Sequence, residues 1–402
     1  MSLPPSVDEV QAPSLFSVSH VAFSEGCGLR LALRERNHVS GLPINPEARI
    51  GKAIHSFIER AIRHAPSESD REELGRRLEN SIRSKKLHLN GNESFPVIGN
   101  LLDAITPLQW VRKKSRALDA IHRSESSNER TSPPNSEADD RQENKEISLS
   151  DLESPGSWTE ISIQDGKLRL KGRMDLVVMR EGVVEIHDFK TGRIHERGSG
   201  QIKSSLVNQM WMYGLLVKRA RPEDDISLFL HSDDIHEIPF TDQEQDRALS
   251  SLRSKREGLE TDDTIRAEDV ANPGKECSLC QFRHRCPIYE KYAAKHWEKA
   301  DRRLPSDTWG YVEKMEKTKN EHINLTITDD IGHRVRILRL DRRRSDHIDV
   351  DEKLWFFGLK TVNRKVARQR IGSPKNFCEI SRTRRADRAW SLRIYSGKRS
   401  LR

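Results

Sequence analysis

Long apolar runs are missing from the sequence, and so is the N-terminal pattern of a secretory signal peptide. Hydrophobic residues make up only 34% of the chain and aromatic residues 6%, whereas 33% of the residues are charged. These shortages exclude a membrane-embedded protein, because a spanning helix needs about 20 consecutive apolar residues. We therefore expect a soluble, cytoplasmic protein. Only five cysteines are present, and because cytoplasmic thiols stay reduced, disulfide bonds are not expected.

Outside the C-terminal quarter of the chain, basic residues do not outnumber acidic residues. The formal net charge is +8, but residues 302–402 contain 26 Lys and Arg against 13 Asp and Glu and carry +13. Residues 1–301 carry the remaining −5. A basic field of this size attracts polyanions, so we expect the C-terminal part to bind nucleic acid. Docking of an acidic partner protein is the alternative.

Composition divides the chain into four parts, since its 402 residues exceed one average domain. Residues 124–157 are rich in Ser, Glu, Asn and Pro and lack apolar periodicity, which predicts a disordered insertion or linker. We predict a helical N-terminal part over residues 1–123, an α/β core over residues 158–300 and a basic β-rich domain over residues 301–402.

A β-hairpin is predicted near the middle of the chain. Two runs rich in β-branched residues, 176–179 and 183–189, flank a Gly-containing turn at residues 180–182. Pairing centred on that turn places Asp175 opposite Asp188. Side chains alternate along a strand, so Lys190 lies on the same face as Asp188.

Two carboxylates held this close repel each other unless a cation lies between them. Oxygen ligands favour a hard divalent ion, Mg²⁺ or Mn²⁺. A lysine beside such an ion can orient water or stabilise charge on a phosphate. The simpler alternative is a surface hairpin with solvated charges, because an isolated D-x-K triplet is common in a chain this rich in charge.

Three further polar positions fit the same site. Residues 51–64 have an amphipathic helical pattern that carries His55, a candidate metal ligand or an ordinary partly buried histidine. Residues 203–219 form a second helical pattern with Gln209 and Tyr213 one turn apart. These two side chains can hydrogen-bond the lysine, a water or a nucleotide backbone, although a plain amphipathic helix also yields such a pair. Glu160, on a strand before the hairpin, is either another acid near the site or a solvated residue.

Four cysteines form a second constellation. Cys277, Cys280 and Cys286 have the spacing C-x2-C-x5-C, and Cys27 lies far upstream. Four thiolates suit structural zinc or a [4Fe-4S] cluster. One cysteine so distant from a tight triplet is awkward for zinc, whose ligands usually come as two close pairs. Ordinary core cysteines are the third alternative, and the polar surroundings of the triplet disfavour it.

The order of these motifs resembles a known family. A helical His55, G-x-x-D ending at Asp175, D-F-K-T-G from Asp188 and Q-x-x-x-Y from Gln209 resemble the RecB-type branch of the PD-(D/E)XK nuclease superfamily. The four cysteines are similar to those of its iron-sulfur members, which include CRISPR-associated RecB-like exonucleases and nuclease domains of helicase-nuclease machines. The resemblance covers roughly residues 15–295 and implies a restriction-endonuclease-like α/β core, a mixed sheet flanked by helices, closed by an iron-sulfur clasp.

The resemblance also implies a role for each matching residue. The metal would be bound by His55, Asp175, Asp188 and the backbone carbonyl of Phe189. Lys190 would be the catalytic lysine, and Gln209 and Tyr213 would support the site and contact DNA. A [4Fe-4S] cluster, or structural zinc as the alternative, would be held by Cys27, Cys277, Cys280 and Cys286. Residues 66–122, which look mostly helical, would form a cap over the DNA path.

Alternating apolar runs in residues 322–395 predict that the C-terminal domain is a small β-barrel or sandwich, with an OB-like fold as one form of it. Trp355, Phe356 and Trp390 are either core residues, which we favour, or platforms for stacked bases. The candidate nucleic-acid-binding residues are Arg334, Arg336, Arg342, Arg343, Arg344, Arg364, Lys365, Arg368 and Arg370.

Together these features predict a Mg²⁺- or Mn²⁺-dependent deoxyribonuclease that hydrolyses phosphodiester bonds in single-stranded DNA or at duplex ends. An exonuclease or a flap-processing enzyme would serve DNA repair, recombination or CRISPR-type antiviral defence, in contact with a helicase or another subunit. The alternative from another class is a catalytically silent DNA-binding subunit of a helicase or defence complex.

Overall fold

The computed structural model describes most of the chain outside the predicted linker. The described residues are 6–24, 26–35, 41–42, 46–64, 71–88, 97–126, 155–196, 198–259, 264–274, 277, 280–296, 307–318, 322–328, 334–341, 348–361, 384–385 and 393–396. Most of the predicted linker, residues 127–154, lies outside them. So do Trp390 and all the candidate basic residues except Arg334 and Arg336. No helix within the described ranges has both the length and the apolar character needed to span a bilayer.

Helices and strands alternate through the first 300 residues, and strands dominate the rest. The helices are α1 Val18–Ala22, α2 Gly28–Glu35, α3 Pro46–His64, α4 Arg71–Arg83, α5 Pro107–Ser126, α6 Ser204–Ala220, α7 Asp242–Arg256, α8 Ala267–Val270 and α9 Pro287–His296. The first strands are β1 Glu9–Gln11, β2 Phe16–Ser17, β3 Lys86–His88, β4 Val97–Asn100, β5 Gly156–Asp165, β6 Leu170–Arg180, β7 Val183–Phe189, β8 Asp225–His231, β9 Ile235–Ile238 and β10 Thr264–Arg266. The later strands are β11 Thr308–Lys317, β12 His322–Thr328, β13 Arg334–Asp341, β14 Lys353–Phe357, β15 Lys360–Thr361, β16 Arg384–Arg385 and β17 Arg393–Ser396.

A six-stranded mixed sheet forms the centre of the first part. Its order is β2-β6-β7-β8-β9, and β5 pairs with β6. The pairs β5–β6, β6–β7 and β8–β9 are antiparallel, whereas β7 and β8 run parallel and are connected through α6. A parallel pair needs a crossover connection of this kind. The predicted mixed sheet flanked by helices is therefore confirmed.

The central hairpin has the predicted register as far as its ladder extends. Residue pairs run from Arg180 opposite Val183 to Leu176 opposite His187, so the next pair in this register is Asp175 and Asp188. Gly182 adopts φ +73° in the turn, a left-handed conformation that glycine accepts without strain. The first strand is longer than predicted and begins at Leu170, because β5 pairs along most of it.

Two layers of helices bury the two faces of this sheet. On one face α6 packs through Met210 and Tyr213 against Val177 and Ile186. On the other face α3, α4 and α5 share a core with sheet residues such as Phe189. The predicted helical segment 66–122 thus contains α4, a short β3–β4 hairpin and most of α5. Its role as a cap over DNA stays a prediction.

The C-terminal strands form a second sheet with the order β15-β16-β13-β12-β11-β14-β17. The region predicted to be β-rich contains these strands, while its boundaries as a domain and an OB-like barrel stay predictions. Trp355 and Phe356 are buried, so both belong to the core and are not platforms for bases. Trp309, Trp355 and Phe357 share a buried cluster with Tyr289 of α9, so the second sheet packs against the cysteine-containing region.

Candidate active site

The polar side chains singled out in the hairpin converge at one end of β6 and β7. The ammonium Nζ of Lys190 lies 2.5 Å from Oδ2 of Asp188. Nε2 of His55, on α3, lies 2.7 Å from Oδ2 of Asp175. The backbone N–H of Phe189 donates to the same Asp175 oxygen at 2.8 Å, so the two strands and α3 are joined at the site.

Glu160 joins this group from β5. The ladder pairs Thr159 with Leu176 and Ile161 with Met174, which places Glu160 at the level of Asp175. The backbone of Glu160 is left-handed, with φ +59°, and its Oε1 lies 4.0 Å from Nδ1 of His55. Its other carboxylate oxygen pairs with Arg173.

Three of these residues can supply ligands to one ion. Single donor atoms of His55, Glu160 and Asp175 all lie within 4.8 Å of one another. The prediction left open whether Glu160 was a solvated strand residue, and its nearly buried carboxylate rules that out. Continuing the pairing argument to β5 would have shown that Glu160 lies opposite Asp175.

Burial and mutual repulsion set the charges of Asp188 and Lys190. Burial raises the pKa of Asp188 to about 6, and the charge of Asp175 adds to this effect against the opposing charge of Lys190. Burial alone would lower the pKa of Lys190, but Asp188 and Asp175 outweigh it and hold that pKa above its ordinary value. Lys190 is therefore a permanent cation beside two acids.

His55 and Asp175 form an ion pair in the metal-free site. Burial disfavours the imidazolium, yet the hydrogen bond and the charge of Asp175, helped by Asp188, raise the pKa of His55 to about 9. Burial would also raise the pKa of Asp175, but the His55 bond, the Lys190 charge and the Phe189 N–H lower it. A cation bound by both residues would take the place of the shared proton.

The donor set fits the ion that the hairpin predicts. Carboxylate oxygens with one imidazole suit Mg²⁺ or Mn²⁺. Oδ2 of Asp188 is buried and faces the ammonium of Lys190. A metal in place of the His55 proton would leave Asp175, Asp188 and Glu160 facing only Lys190 and Arg173, an excess of one negative charge that the ion would neutralise. The role of the Phe189 carbonyl as a ligand stays a prediction.

Gln209 and Tyr213 brace the site from α6. The Tyr213 hydroxyl donates to the carbonyl of Arg173 at 2.9 Å, and Nε2 of Gln209 donates to that hydroxyl at 3.4 Å. Both residues are only 4% exposed, which favours the supporting role over contact with DNA. A Cβ on Gly172 would lie 2.8 Å from the Tyr213 ring, so this packing explains the glycine of the G-x-x-D motif.

Two cations of α5, which the motifs did not reveal, hold the loop after Lys190. Nζ of Lys113 donates to the carbonyl of Thr191 at 3.4 Å. Arg116 donates to the carbonyls of Thr191 and Gly192 at 3.4 and 3.3 Å and pairs with Asp233. Burial lowers the pKa of Lys113. Helix α5 therefore fixes the position of the loop that follows Lys190.

The four predicted cluster cysteines line one cavity, together with residues of α2 and of the segment before α9. In the described part of the chain, no three of their Sγ atoms lie within 4.8 Å of one another. Tetrahedral zinc with Zn–S bonds of about 2.3 Å would bring its sulfurs to about 3.8 Å. Burial raises the pKa of Cys277 to about 11 and that of Cys286 to about 12. A cationic group would be needed to ionise these thiols.

The two basic candidates that fall in described strands are already paired. Arg334 lies 2.6 Å from Glu313, and Arg336 lies 3.5 Å from Glu316. These side chains stay largely exposed, so the pairs are weak and can exchange partners. Binding of nucleic acid at this sheet stays a prediction.

Comparison with known proteins agrees with the geometry of the hairpin. No curated protein matches the chain. Residues 15–287 match the family model of the PD-(D/E)XK nuclease superfamily. That range spans more than half of the chain and includes His55, the hairpin, α6 and all four cysteines of the cavity. With two strands presenting Asp175, Asp188 and Lys190 together inside the matched range, the chain belongs to the PD-(D/E)XK nuclease superfamily.

Proposed function

We propose that this protein is a RecB-like, Mg²⁺- or Mn²⁺-dependent deoxyribonuclease that cleaves single-stranded DNA or duplex ends. Membership of the superfamily supports a metal-dependent nuclease. The convergence of Asp175, Asp188, His55 and Lys190 on one buried site is the observation that carries the proposal. A cytoplasmic location and a role in repair, recombination or antiviral defence, with a helicase or another subunit as partner, are part of the same proposal.

The acids and the imidazole would hold the ion, and the lysine would act on the substrate. Asp175, Asp188 and His55 would bind it, and Glu160 is placed to join them. A bound divalent ion supplies Lewis-acid stabilisation and lowers the pKa of water. Lys190, held as a cation by Asp188, can donate a hydrogen bond to the attacking water or to a phosphate oxygen whose charge grows.

Neighbouring groups keep these residues in position. The Phe189 N–H fixes one oxygen of Asp175. Tyr213 holds the backbone of β6 at Arg173, two residues before Asp175. Arg116 holds the loop that follows Lys190. Such support matters because a shift of about 1 Å in a catalytic group can lower a rate by about 100-fold.

A [4Fe-4S] cluster is the proposed second cofactor. Its support is the cavity that all four cysteines line. Structural zinc is the alternative. A brown protein that absorbs broadly near ~400 nm would support the cluster, whereas a colourless protein with stoichiometric zinc would exclude it.

A cleavage assay tests the proposed activity. Purified protein with Mn²⁺ or Mg²⁺ should degrade end-labelled single-stranded or duplex oligonucleotides, and the product ladder reports polarity. Lys190→Ala should abolish cleavage while the circular dichroism spectrum is unchanged. Lys167→Ala is the matched control, because Lys167 is exposed in the turn between β5 and β6. Full activity of Lys190→Ala would refute the site.

The charge of the C-terminal part favours a second candidate, a DNA-binding subunit without catalytic activity. The net +13 of residues 302–402 predicts binding whose affinity falls steeply with salt. This candidate requires that no divalent metal support cleavage by the wild-type protein while it binds the oligonucleotide.

A further inference from the structure

One carboxylate joins the cysteine region to the C-terminal sheet. Asp307 is fully buried at the start of that sheet. Its oxygens accept hydrogen bonds from Nε and Nη2 of Arg283 at 2.6 and 3.2 Å and from the hydroxyl of Tyr289 at 2.8 Å. On the other side, the backbone N–H of Gly358, just after β14, donates to Asp307 at 2.7 Å. Four hydrogen bonds thus converge on Asp307 from two parts of the protein.

The same groups reach two of the predicted cluster ligands. Nη1 of Arg283 donates to the carbonyl of Cys280 at 2.8 Å. The backbone N–H of Tyr289 donates to Sγ of Cys286 at 3.3 Å. Asp307 therefore fixes the segment that carries these cysteines, acting through Arg283 and Tyr289.

Aromatic side chains of the second sheet complete the contact. Trp309 and Trp355 stack with ring centroids 5.1 Å apart, and Phe357 lies in the same buried cluster. Cys277 and Cys286 pack against this cluster. Cys286 also touches the core of the first sheet, as do Cys27 and Cys280, but Cys27 does not belong to the cluster of the second sheet. The C-terminal sheet thus packs behind Cys277 and Cys286, outside the lining of the cavity, to which Arg283 and Tyr289 belong.

The buried ion pair makes this contact sensitive to the loss of one partner. Burial opposes the charge of Arg283, but Asp307 outweighs burial and raises the pKa of the guanidinium above its ordinary value. A buried charge whose partner is removed is strongly unfavourable. Removing the Asp307 charge should therefore loosen the contact between the sheet and the cysteine segment.

We propose that the C-terminal sheet forms an outer wall that covers the segment carrying Cys277 and Cys286. The hydrogen bonds of Asp307 keep this wall against the segment. The wall shields Cys277 and Cys286 from solvent, and with a cluster bound it would limit access of oxygen, as the apolar shell of a metal site does. The protective part of this inference rests on the proposed [4Fe-4S] cofactor. The shielding of the thiols does not depend on that cofactor. This sheet would serve the cofactor whether or not it also binds nucleic acid.

Alkylation of the full-length, metal-free protein with iodoacetamide tests the wall directly. Trypsin separates Cys286, in residues 286–291, from Cys27, in residues 1–30, so mass spectrometry follows each thiol. Asp307→Asn should raise the rate at Cys286 about tenfold or more, equivalent to about 1.4 kcal/mol in the opening equilibrium, and leave Cys27 nearly unchanged. Equal rates at Cys286 in the two proteins would overturn the proposal.

Two further variants make the result specific. Glu313→Gln removes a carboxylate of the same sheet that pairs with Arg334, and it should leave the Cys286 rate unchanged. Trp309→Leu replaces a buried aromatic side chain of the sheet with a smaller one and removes no charge. It should raise the alkylation rate at Cys286, and it provides the test if Asp307→Asn fails to fold. A rise in the Glu313→Gln protein as large as in Trp309→Leu would show general loosening and would overturn the proposal.

The cofactor is followed in a separate experiment. After anaerobic reconstitution with iron and sulfide, the absorbance near ~400 nm should decay several times faster in air for Asp307→Asn than for wild type. Equal decay would overturn the protective role. Failure of the wild type to take up iron would refute the proposed cluster. The alkylation rates would still show whether the sheet shields Cys286.

Discussion

The left-handed backbone of Glu160 makes an unusual prediction about stability. A non-glycine residue in this conformation is strained by about 1–2 kcal/mol. Alanine at position 160 would keep the strain, because it also carries a Cβ. Glycine would relieve the strain. Its greater conformational freedom in the unfolded chain would lower the stability of the protein by about 0.5–1 kcal/mol. Glu160→Gly should therefore be more stable than Glu160→Ala, by about 0.75 kcal/mol at the middle of the two ranges.

The comparison isolates the backbone, since both variants lack the carboxylate and its contact with Arg173. In an ordinary strand the order is reversed and alanine is the more stable residue. Urea unfolding of the two metal-free proteins, followed by circular dichroism, measures the difference. If Glu160→Ala proves equally or more stable, residue 160 is not held in a left-handed conformation.

The same two variants report on the metal. Strain of this kind persists where a functional geometry requires it, and Glu160 lies where its carboxylate can join His55 and Asp175. Both variants should therefore bind Mn²⁺ more weakly and to the same extent in a calorimetric titration. Unchanged affinity would assign the strained residue to the fold alone.

Three further predictions concern two groups around the candidate active site and one buried carboxylate, Glu35, at the end of α2. Gly172→Ala should destabilise the protein by about 1–3 kcal/mol in urea unfolding, because the new Cβ would overlap the Tyr213 ring; a neutral effect would contradict the packing. Arg116→Ala should lower kcat with little change in melting temperature, because it frees the loop after Lys190, whereas Arg112→Ala on an exposed position of the same helix should not. Glu35→Gln should lower stability by about 1.5–3 kcal/mol at pH 7. Burial works against the Glu35 carboxylate, but the His20 and Ser17 hydrogen bonds lower its pKa below 4.5, so its stabilisation exists above pH 4.5 and is lost as pH falls through the folded pKa. The two unfolding free energies should therefore converge in acid, and a difference that stays constant over the whole acid range below pH 4.5 would refute this origin.

Local sequence patterns were sufficient to predict the structure where a short turn and adjacent strands define the geometry. The hairpin register follows from the turn at Gly182 and two apolar runs and agrees with the ladder up to Leu176 and His187. Asp175 and Asp188 follow that last pair, and the charge of Asp175 acts on Asp188. Amphipathic periodicity likewise located α3 and α6 with errors of a few residues at their ends. These elements are determined by contacts close in sequence or by a single buried face.

Contacts between distant segments were not predictable in this way. Asp307 meets Arg283 across an intervening helix, and Lys113 meets Thr191 across the predicted linker. No periodicity of either segment indicates its partner, because these pairs arise only when the layers pack. The excess of arginines in the C-terminal part is visible in the sequence, but the partner of each arginine is not. Arg334 pairs with Glu313 within its own sheet.

Strand alternation itself fails at the candidate metal site, and the failure locates the strain. Residues two apart on a regular strand share a face, but Met174 belongs to the core beside α6 and Leu176 to the core beside α3. On the paired strand, Trp158 and Ile161 are three apart and still pack on the same core. Both exceptions flank the level of Glu160 and Asp175, where the left-handed residue lies. The kink therefore changes which face each strand presents at the point where an acid must turn from the sheet towards His55. A regular strand would bury that acid or lose the apolar packing on one side of it.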